Sequence, residues 1–159
     1  MSNSLTLRPY SPTDPLRITP REDFRLEHEA AGSPLFGPER VQGLCWTLTE
    51  GDRKWAKPLA CGGLEPQGHG RFAAWLYASD LTPRGWAMVK RAFRRMVAES
   101  GARRVEAMVR CEKVLPDAGV SQFTKATAYA ELDLGLRWEG RLRAWGPDGA
   151  DYDLYAGVF

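Results

Sequence analysis

Residues Arg71 to Ala87 read RFAAWLYASDLTPRGWA, an apolar run that breaks at Ser79-Asp80 and turns at once into a helix opened by Thr82, Pro83, Arg84 and Gly85. The first four N–H groups of a helix have no partner within it and lie at the positive end of its dipole, so such a start is an anion site made of backbone. Gly85 has no side chain to hold a ligand away. The helix continues to Ser100: Trp86, Val89, Phe93, Met96 and Val97 form an inward stripe, Lys90, Arg91, Arg94 and Arg95 lie outside it, and Gly101 ends it. Arg103 to Arg110, RRVEAMVR, then alternates Val105, Ala107 and Val109. A strand reached through a crossover helix runs parallel to its predecessor, so this region is a βαβ unit.

Upstream, Leu5 and Leu7 alternate with polar residues in a first strand over residues 4–9, and Pro15 to Gly32 reads as a helical region opened by Pro20, Glu22 and Asp23. Residues 35–42 have no clear period and stand as loop or a short second helix. Gly43–Thr49 and Pro58–Leu64 are a hairpin pair around Glu50-Gly51-Asp52, and Pro66 to Gly70 turns the chain into Arg71–Ala78, the most apolar strand and therefore a central one. Downstream, Glu112–Gly119 is an irregular loop. Ser121 caps a helix that runs to Leu134, and Gly135 closes it. Leu136–Trp145 and Asp151–Val158 flank a hairpin turn at Gly146-Pro147-Asp148-Gly149.

The chain has 159 residues, enough for one domain with its own core. Its 22 Lys and Arg against 20 Asp and Glu leave a formal charge of +2, not the basic excess of a protein built around nucleic acid. Cys45, Cys61 and Cys111 are odd in number and lack the paired spacing of zinc sites, which points to reduced, buried thiols and no metal. No apolar run reaches the length of a membrane span, and a cytoplasmic protein is expected.

The order strand, helix, three antiparallel strands, helix, strand, helix, hairpin resembles the GNAT superfamily of acyl-coenzyme A transferases over nearly the whole chain. LTLRPYSPTD is similar to that family's opening strand and its Arg-Pro-x-x-x-x-Asp turn; Leu134-Gly135-Leu136 with Trp138-Glu139-Gly140 resembles the end of its last helix; and RLRAWGPDGADYDLYAGV resembles its terminal hairpin. A short chain of this kind looks most like the GNAT-like proteins of tailed bacteriophages and prophages, some of them virion components. The resemblance implies an α/β fold of the α+β type: a mixed, mostly antiparallel sheet of about seven strands, helices on both faces, and a V-shaped splay between strands 4 and 5.

It also implies acetyl-coenzyme A in that V, an amine on a small molecule or peptide as acceptor, direct attack on the thioester, and neither nucleic acid nor membrane as partner. Virion or homo-oligomer contacts are a further implication. Backbone N–H groups at Leu76, Tyr77 and Ala78 would polarise the thioester and position the cofactor's pantetheine arm. The family's phosphate loop, Arg/Gln-x-x-Gly-x-Gly/Ala, maps onto Arg84, Ala87 and Val89, with Gly85 and Trp86 between; Val89 is bulky where the family leaves the backbone bare. The basic helix stripe could take the 3′-phosphate or be a solvated face. Trap-like aromatics Trp75, Tyr77 and Trp86 suit an acyl channel and, equally, a core.

In many relatives a Tyr four residues before the Leu-Gly-Phe glycine protonates the leaving thiolate. Counting from Gly135, that place holds Glu131, and Tyr129 projects about 200° away on a regular helix at 100° per residue. Glu65, at a strand end, is a candidate base acting through water, or a solvated carboxylate. His69 between two glycines reads as a loop residue, and Asp80 as a turn residue. With the proton donor displaced and the loop incomplete, a phage structural or interaction protein with a vestigial cofactor site is the alternative.

Overall fold

The computed structural model describes residues 4–21, 24–25, 44–51, 56–111 and 129–159. Seven strands form one mixed sheet: β1 (Leu5–Pro9), β2 (Leu44–Glu50), β3 (Lys57–Gly68), β4 (Arg71–Ala78), β5 (Arg104–Arg110), β6 (Arg137–Leu142) and β7 (Tyr152–Val158), in the spatial order β1-β2-β3-β4-β5-β7-β6. Every neighbouring pair is antiparallel except β4 and β5, which helix α1 (Pro83–Ser100) joins in parallel. The apolar β4 stands in the middle, with three strands on each side, and its two faces are covered by α1 on one side and by Ile18, Tyr10 and Phe24 on the other.

Strand alternation divides the core. Trp46, Leu48, Ala60, Leu64, Ala78 and Val105 face α1, which inserts Val89, Phe93, Met96 and Val97. Each such side chain contributes about 1.5–3 kcal/mol on burial, which makes this layer the main stabilising contact. A π-helical turn, Tyr129–Asp133, packs on the same side over β5 and β7 through Ala130, Leu136 and Tyr155. Ile18, Tyr10 and Phe24 cover Cys61, Trp75 and Tyr77 on the opposite side.

The Arg-Pro-x-x-x-x-Asp turn has a structural explanation. Asp14 is 1% exposed; its Oδ1 accepts from Arg8 at 2.5 Å, and its Oδ2 accepts from the Thr47 hydroxyl at 2.7 Å and the Ser11 N–H at 2.9 Å. Burial works to raise its pKa, but the donors of Arg8, Thr47 and Ser11 outweigh this and hold the carboxyl below its ordinary value.

Several boundaries differ from those expected. Pro15 does not open a long helix: a single 3-10 turn, Pro15–Arg17, gives way to extended backbone at Ile18, whose N–H bonds to the Pro15 carbonyl. Helical backbone reappears at Phe24 and Arg25; the remainder of the expected first helix and residues 35–42 lie outside the described residues. Strand β3 continues through Pro66 to Gly68, since Pro66 sits opposite Phe72 at a position that asks no N–H of it. The β3–β4 turn therefore shrinks to His69-Gly70, with left-handed backbone at Gly68, His69 and Gly70 (φ +84°, +53° and +75°). The loop over 112–119 and the first part of the 121–134 helix are likewise outside the described residues, and the last turn is π-helical where a regular helix was expected.

Candidate functional site

Strands β4 and β5 pair only from Arg71↔Arg104 to Ala73↔Glu106 and then diverge. Which backbone groups face the gap follows from the ladders on either side. Ser79 N–H bonds to the Leu59 carbonyl, so by antiparallel alternation Tyr77, Trp75 and Ala73 also spend their backbone groups on β3. Ala74, Leu76 and Ala78 turn theirs toward β5. Ala74 N–H closes the last rung; the Ala74 carbonyl, both Leu76 groups and the Ala78 N–H face the V, while the Ala78 carbonyl accepts from Arg21 N–H at 2.9 Å. The same parity on β5, fixed by Cys111 N–H to the Asp151 carbonyl, presents Met108 and Arg110 across the gap. The expected backbone donors are thus corrected at one position. Leu76 and Ala78 offer N–H groups, whereas Tyr77 contributes its ring, because its backbone belongs to the β3 ladder.

A cavity of about 420 Å³ passes through this V. Leu76, Trp86, Phe93 and Tyr129 line it on the α1 side, and Glu65, Ala73, Trp75, Tyr77 and Arg110 on the other. Trp46 also reaches it, with a buried indole N–H that has no hydrogen-bond partner among the described residues. Two adjacent glycines make room for the indoles. A Cβ on Gly62 would lie 2.9 Å from Trp46 Cζ2, and one on Gly63 would lie 2.9 Å from Trp75 Nε1, on opposite faces of β3. Glu65 is half-buried within β3, opposite Ala73, and not at a strand end as the shorter expected strand implied.

The helix start is less open to anions than the sequence suggests. Pro83 has no N–H, and the Thr82 hydroxyl already accepts from Gly85 N–H at 3.2 Å, so two of the first donors are removed. Arg84, exposed in the first turn of α1, has no side-chain hydrogen bond or ion pair among the described residues. Gly85 is buried, and a Cβ there would meet Leu81 Cβ at 3.3 Å; its small size serves helix–loop packing as well as ligand approach. Ala87 and Val89 lie inside the regular helix, where N–H groups bond four residues back, and Val89 is fully buried in the core. Neither forms a loop around phosphate.

Tyr129, not Glu131, is at the cavity. Its ring centroid lies 4.9 Å from that of Trp86, and Trp86 in turn lies under the Arg21 guanidinium at 5.7 Å. The rotation of about 200° assumed 100° per residue, but here Leu134 N–H bonds to the Tyr129 carbonyl five residues back, which widens the turn and changes which side chains share a face. Burial, with a lesser push from the Asp133 charge, raises the Tyr129 phenol far above its ordinary value and keeps it protonated. Glu131 lies outside the cavity wall; its charge is among those that, after burial and Asp153, push Tyr155 up to about 12.

Sequence reasoning missed Arg21, Phe24, Met108, Arg110 and Tyr152 in the cavity wall. The alternation of RRVEAMVR held the signal for Met108 and Arg110, which share a face with Glu106. The basic helix stripe is partly engaged elsewhere: Lys90 pairs with Asp133 at 3.3 Å and Arg95 with Glu99 at 2.6 Å. All three cysteines are free thiols, and no group of metal-binding side chains occurs among the described residues. No helix among them is long and apolar enough to cross a membrane.

No protein-family model matches the chain, and no curated protein matches it in sequence. Solved structures do match. A GNAT-family acetyltransferase from Bacillus anthracis superposes with a TM-score of 0.61 at 12% identity, covering 97% of this chain and 94% of that one. An N-acetyltransferase from Staphylococcus aureus Mu50 gives 0.59 at 11% identity, with 98% of both chains covered. The ribosomal-protein-S5-alanine acetyltransferase from Vibrio fischeri gives 0.58 at 12% identity, over 97% of this chain and 92% of that one. The seven-stranded sheet, its single parallel pair and its opened V are therefore those of the GNAT acetyltransferase fold.

Proposed function

We propose that this protein is an acyl-coenzyme A dependent N-acyltransferase that moves an acetyl group onto an amine by direct attack. The observation that carries the reading is the open β4 edge, where Leu76 N–H and C=O face a cavity bounded by Trp86 and Tyr129. An extended, amide-bearing arm such as pantetheine can continue the ladder there. The diphosphate end has fewer partners, Arg84 foremost, so the arm and not the phosphates would dominate binding. When bound, acetyl-coenzyme A supplies the acyl group: its carbonyl carbon bonds to the amine nitrogen as the C–S bond breaks, the sulfur leaves with the electron pair and gains a proton, and the amine loses one.

The chain's own residues divide the remaining work. Glu65 takes the amine proton, directly or through water. Leu76 N–H is the donor for the developing oxyanion, and Ala78 N–H, two residues further along the same edge, is left to hold the pantetheine arm. The protonated Tyr129 hydroxyl gives its proton to sulfur, and Glu131 has no part in this assignment. The acceptor is a small-molecule or peptide amine, the setting cytoplasmic, and nucleic acid and membranes are not partners.

The test is a melting curve with acetyl-coenzyme A together with thiol release on adding amines. A rise in melting temperature and amine-dependent release are expected; an unmoved curve at millimolar acetyl-coenzyme A would overturn the reading. That result would favour a second reading, for which the Thr82 cap and Pro83 speak: a phage-borne GNAT-fold protein serving virion or homo-oligomer contacts, its cofactor site vestigial.

A further inference from the structure

The charges around the cavity point to the kind of amine it takes, an inference that rests on the acyl-transfer reading. On the face away from α1, Glu65, Ala73 and Glu106 lie in one row across β3, β4 and β5. Glu106 is neutralised by Arg71 at 3.0 Å and Arg104 at 2.6 Å. Arg110, its side chain only 15% exposed, is held by both carboxylate oxygens of Asp148 in the β6–β7 turn. Arg21 is stacked on Phe24 and Trp86. Of the charged residues in the cavity wall, Glu65 alone has neither an ion pair nor a ring partner among the described residues. The same face of the cavity carries three rings, Trp75 next to Glu65 and Tyr77 and Tyr152 further along the strands.

We propose that the acceptor is a primary ammonium on an aromatic or apolar body that carries no carboxylate, and that Asp148 enforces the second half of this choice. Glu65 attracts the ammonium before it is deprotonated, and the rings take the body. An α-carboxylate beside that ammonium needs a cation. Of the two guanidiniums in the wall, Arg21 is stacked on Phe24 and Trp86, and Arg110, which lies on the same face of the sheet as Glu65, is already satisfied by Asp148, so a carboxylate entering here stays unpaired and pays its full desolvation. Asp148 also accepts from Ala150 N–H at 3.3 Å, which keeps the turn and its pairing with Arg110 in place.

The experiment compares phenethylamine with phenylalanine, which differ by the carboxylate. Direct titration calorimetry on the full chain gives binding, and thiol release with acetyl-coenzyme A gives turnover. Phenethylamine is expected to bind at least about tenfold more tightly than phenylalanine. Glu65→Gln should weaken phenethylamine without helping phenylalanine, and Asp148→Asn, which releases Arg110, should narrow the ratio about tenfold. Should Asp148→Asn fail to fold, the exchange Arg110→Asp with Asp148→Arg retains an ion pair, puts a carboxylate on β5, and should widen the ratio. Equal binding of both amines to the unaltered protein, binding of neither, or a ratio unmoved in the folded variants would overturn the proposal. Selective phenethylamine binding without thiol release would support it while removing the acyl-transfer reading; thiol release as fast with phenylalanine would do the reverse.

Discussion

The ring of Tyr129 lies 4.9 Å from that of Trp86, so the π-turn and the first turn of α1 meet at the mouth of the V. This contact fixes the phenol beside the open edge of β4. Replacing Tyr129 with Phe keeps the ring contact and removes only the hydroxyl. Turnover with acetyl-coenzyme A should fall by about 10²-fold, while the cofactor's KM and the melting temperature stay unchanged. Undiminished turnover would show that the proton reaches sulfur from solvent, and Glu131→Gln should leave the rate unaltered.

Asp14 ties the β1–turn segment to β2 through Arg8, Ser11 and Thr47. Asp14→Asn leaves Arg8 without its counter-charge and weakens three hydrogen bonds, a loss on the order of 3 kcal/mol. Since the folded carboxyl lies below its unfolded value near 3.8, its contribution is present above that pH and is lost as pH falls through the folded value. Urea melts from pH 2 to 7 should show the acid limb of the stability curve flattened in Asp14→Asn. An unchanged limb would mean that other carboxylates govern acid unfolding.

How far the sequence carried this description depends on the kind of pattern involved. Helix α1 was legible to the residue, since Thr82, Pro83, a regular apolar stripe and Gly101 are independent signals that agree. The strands were legible from alternation, and the parallel pairing of β4 with β5 from the crossover helix between them; the place of β7 between β5 and β6 was not. The length of β3 was not, because Pro66 and Gly68 look like turn residues, and only pairing with Phe72 and Arg71 of β4 reveals that both belong to the ladder. The placement of Tyr129 was hidden for a different reason: one longer hydrogen bond changes the face of a turn, and no residue type announces it. The Arg110–Asp148 pair joins positions 38 apart, a distance at which periodicity says nothing.

Thr82→Ala separates two uses of the same N–H. Losing the cap should cost about 1 kcal/mol of stability, yet it frees Gly85 N–H for a phosphate. The melting temperature of the unliganded protein should drop, and coenzyme A affinity, by calorimetry, should hold or rise. A parallel loss of affinity would place the phosphates away from the helix start.

Alkaline stability should be limited by groups on both sides of the V. Burial raises the Cys61 thiol and the Tyr77 and Tyr129 phenols above their ordinary values near 9 and 10, and Tyr155 to about 12. Their neutral forms are favoured in the fold, so their contribution is complete below pH 9 and is lost progressively as pH rises through 9 to 12 and beyond. Cys61→Ala and Tyr129→Phe should each lessen the slope of stability against pH above 9. Equal slopes in all three proteins would contradict the burial of these groups.

Three of the six tryptophans, Trp46, Trp75 and Trp86, share the wall of one cavity, two of them seated against the bare backbone of Gly62 and Gly63. Trp138 and Trp145, by contrast, are more than half exposed. The emission of these five tryptophans consequently divides into a shielded, blue-shifted class and a class that aqueous iodide can quench. Any molecule entering the V displaces water from the first class and leaves the second alone, so occupancy is readable by eye of a fluorimeter, without a label and without knowing in advance what the molecule is.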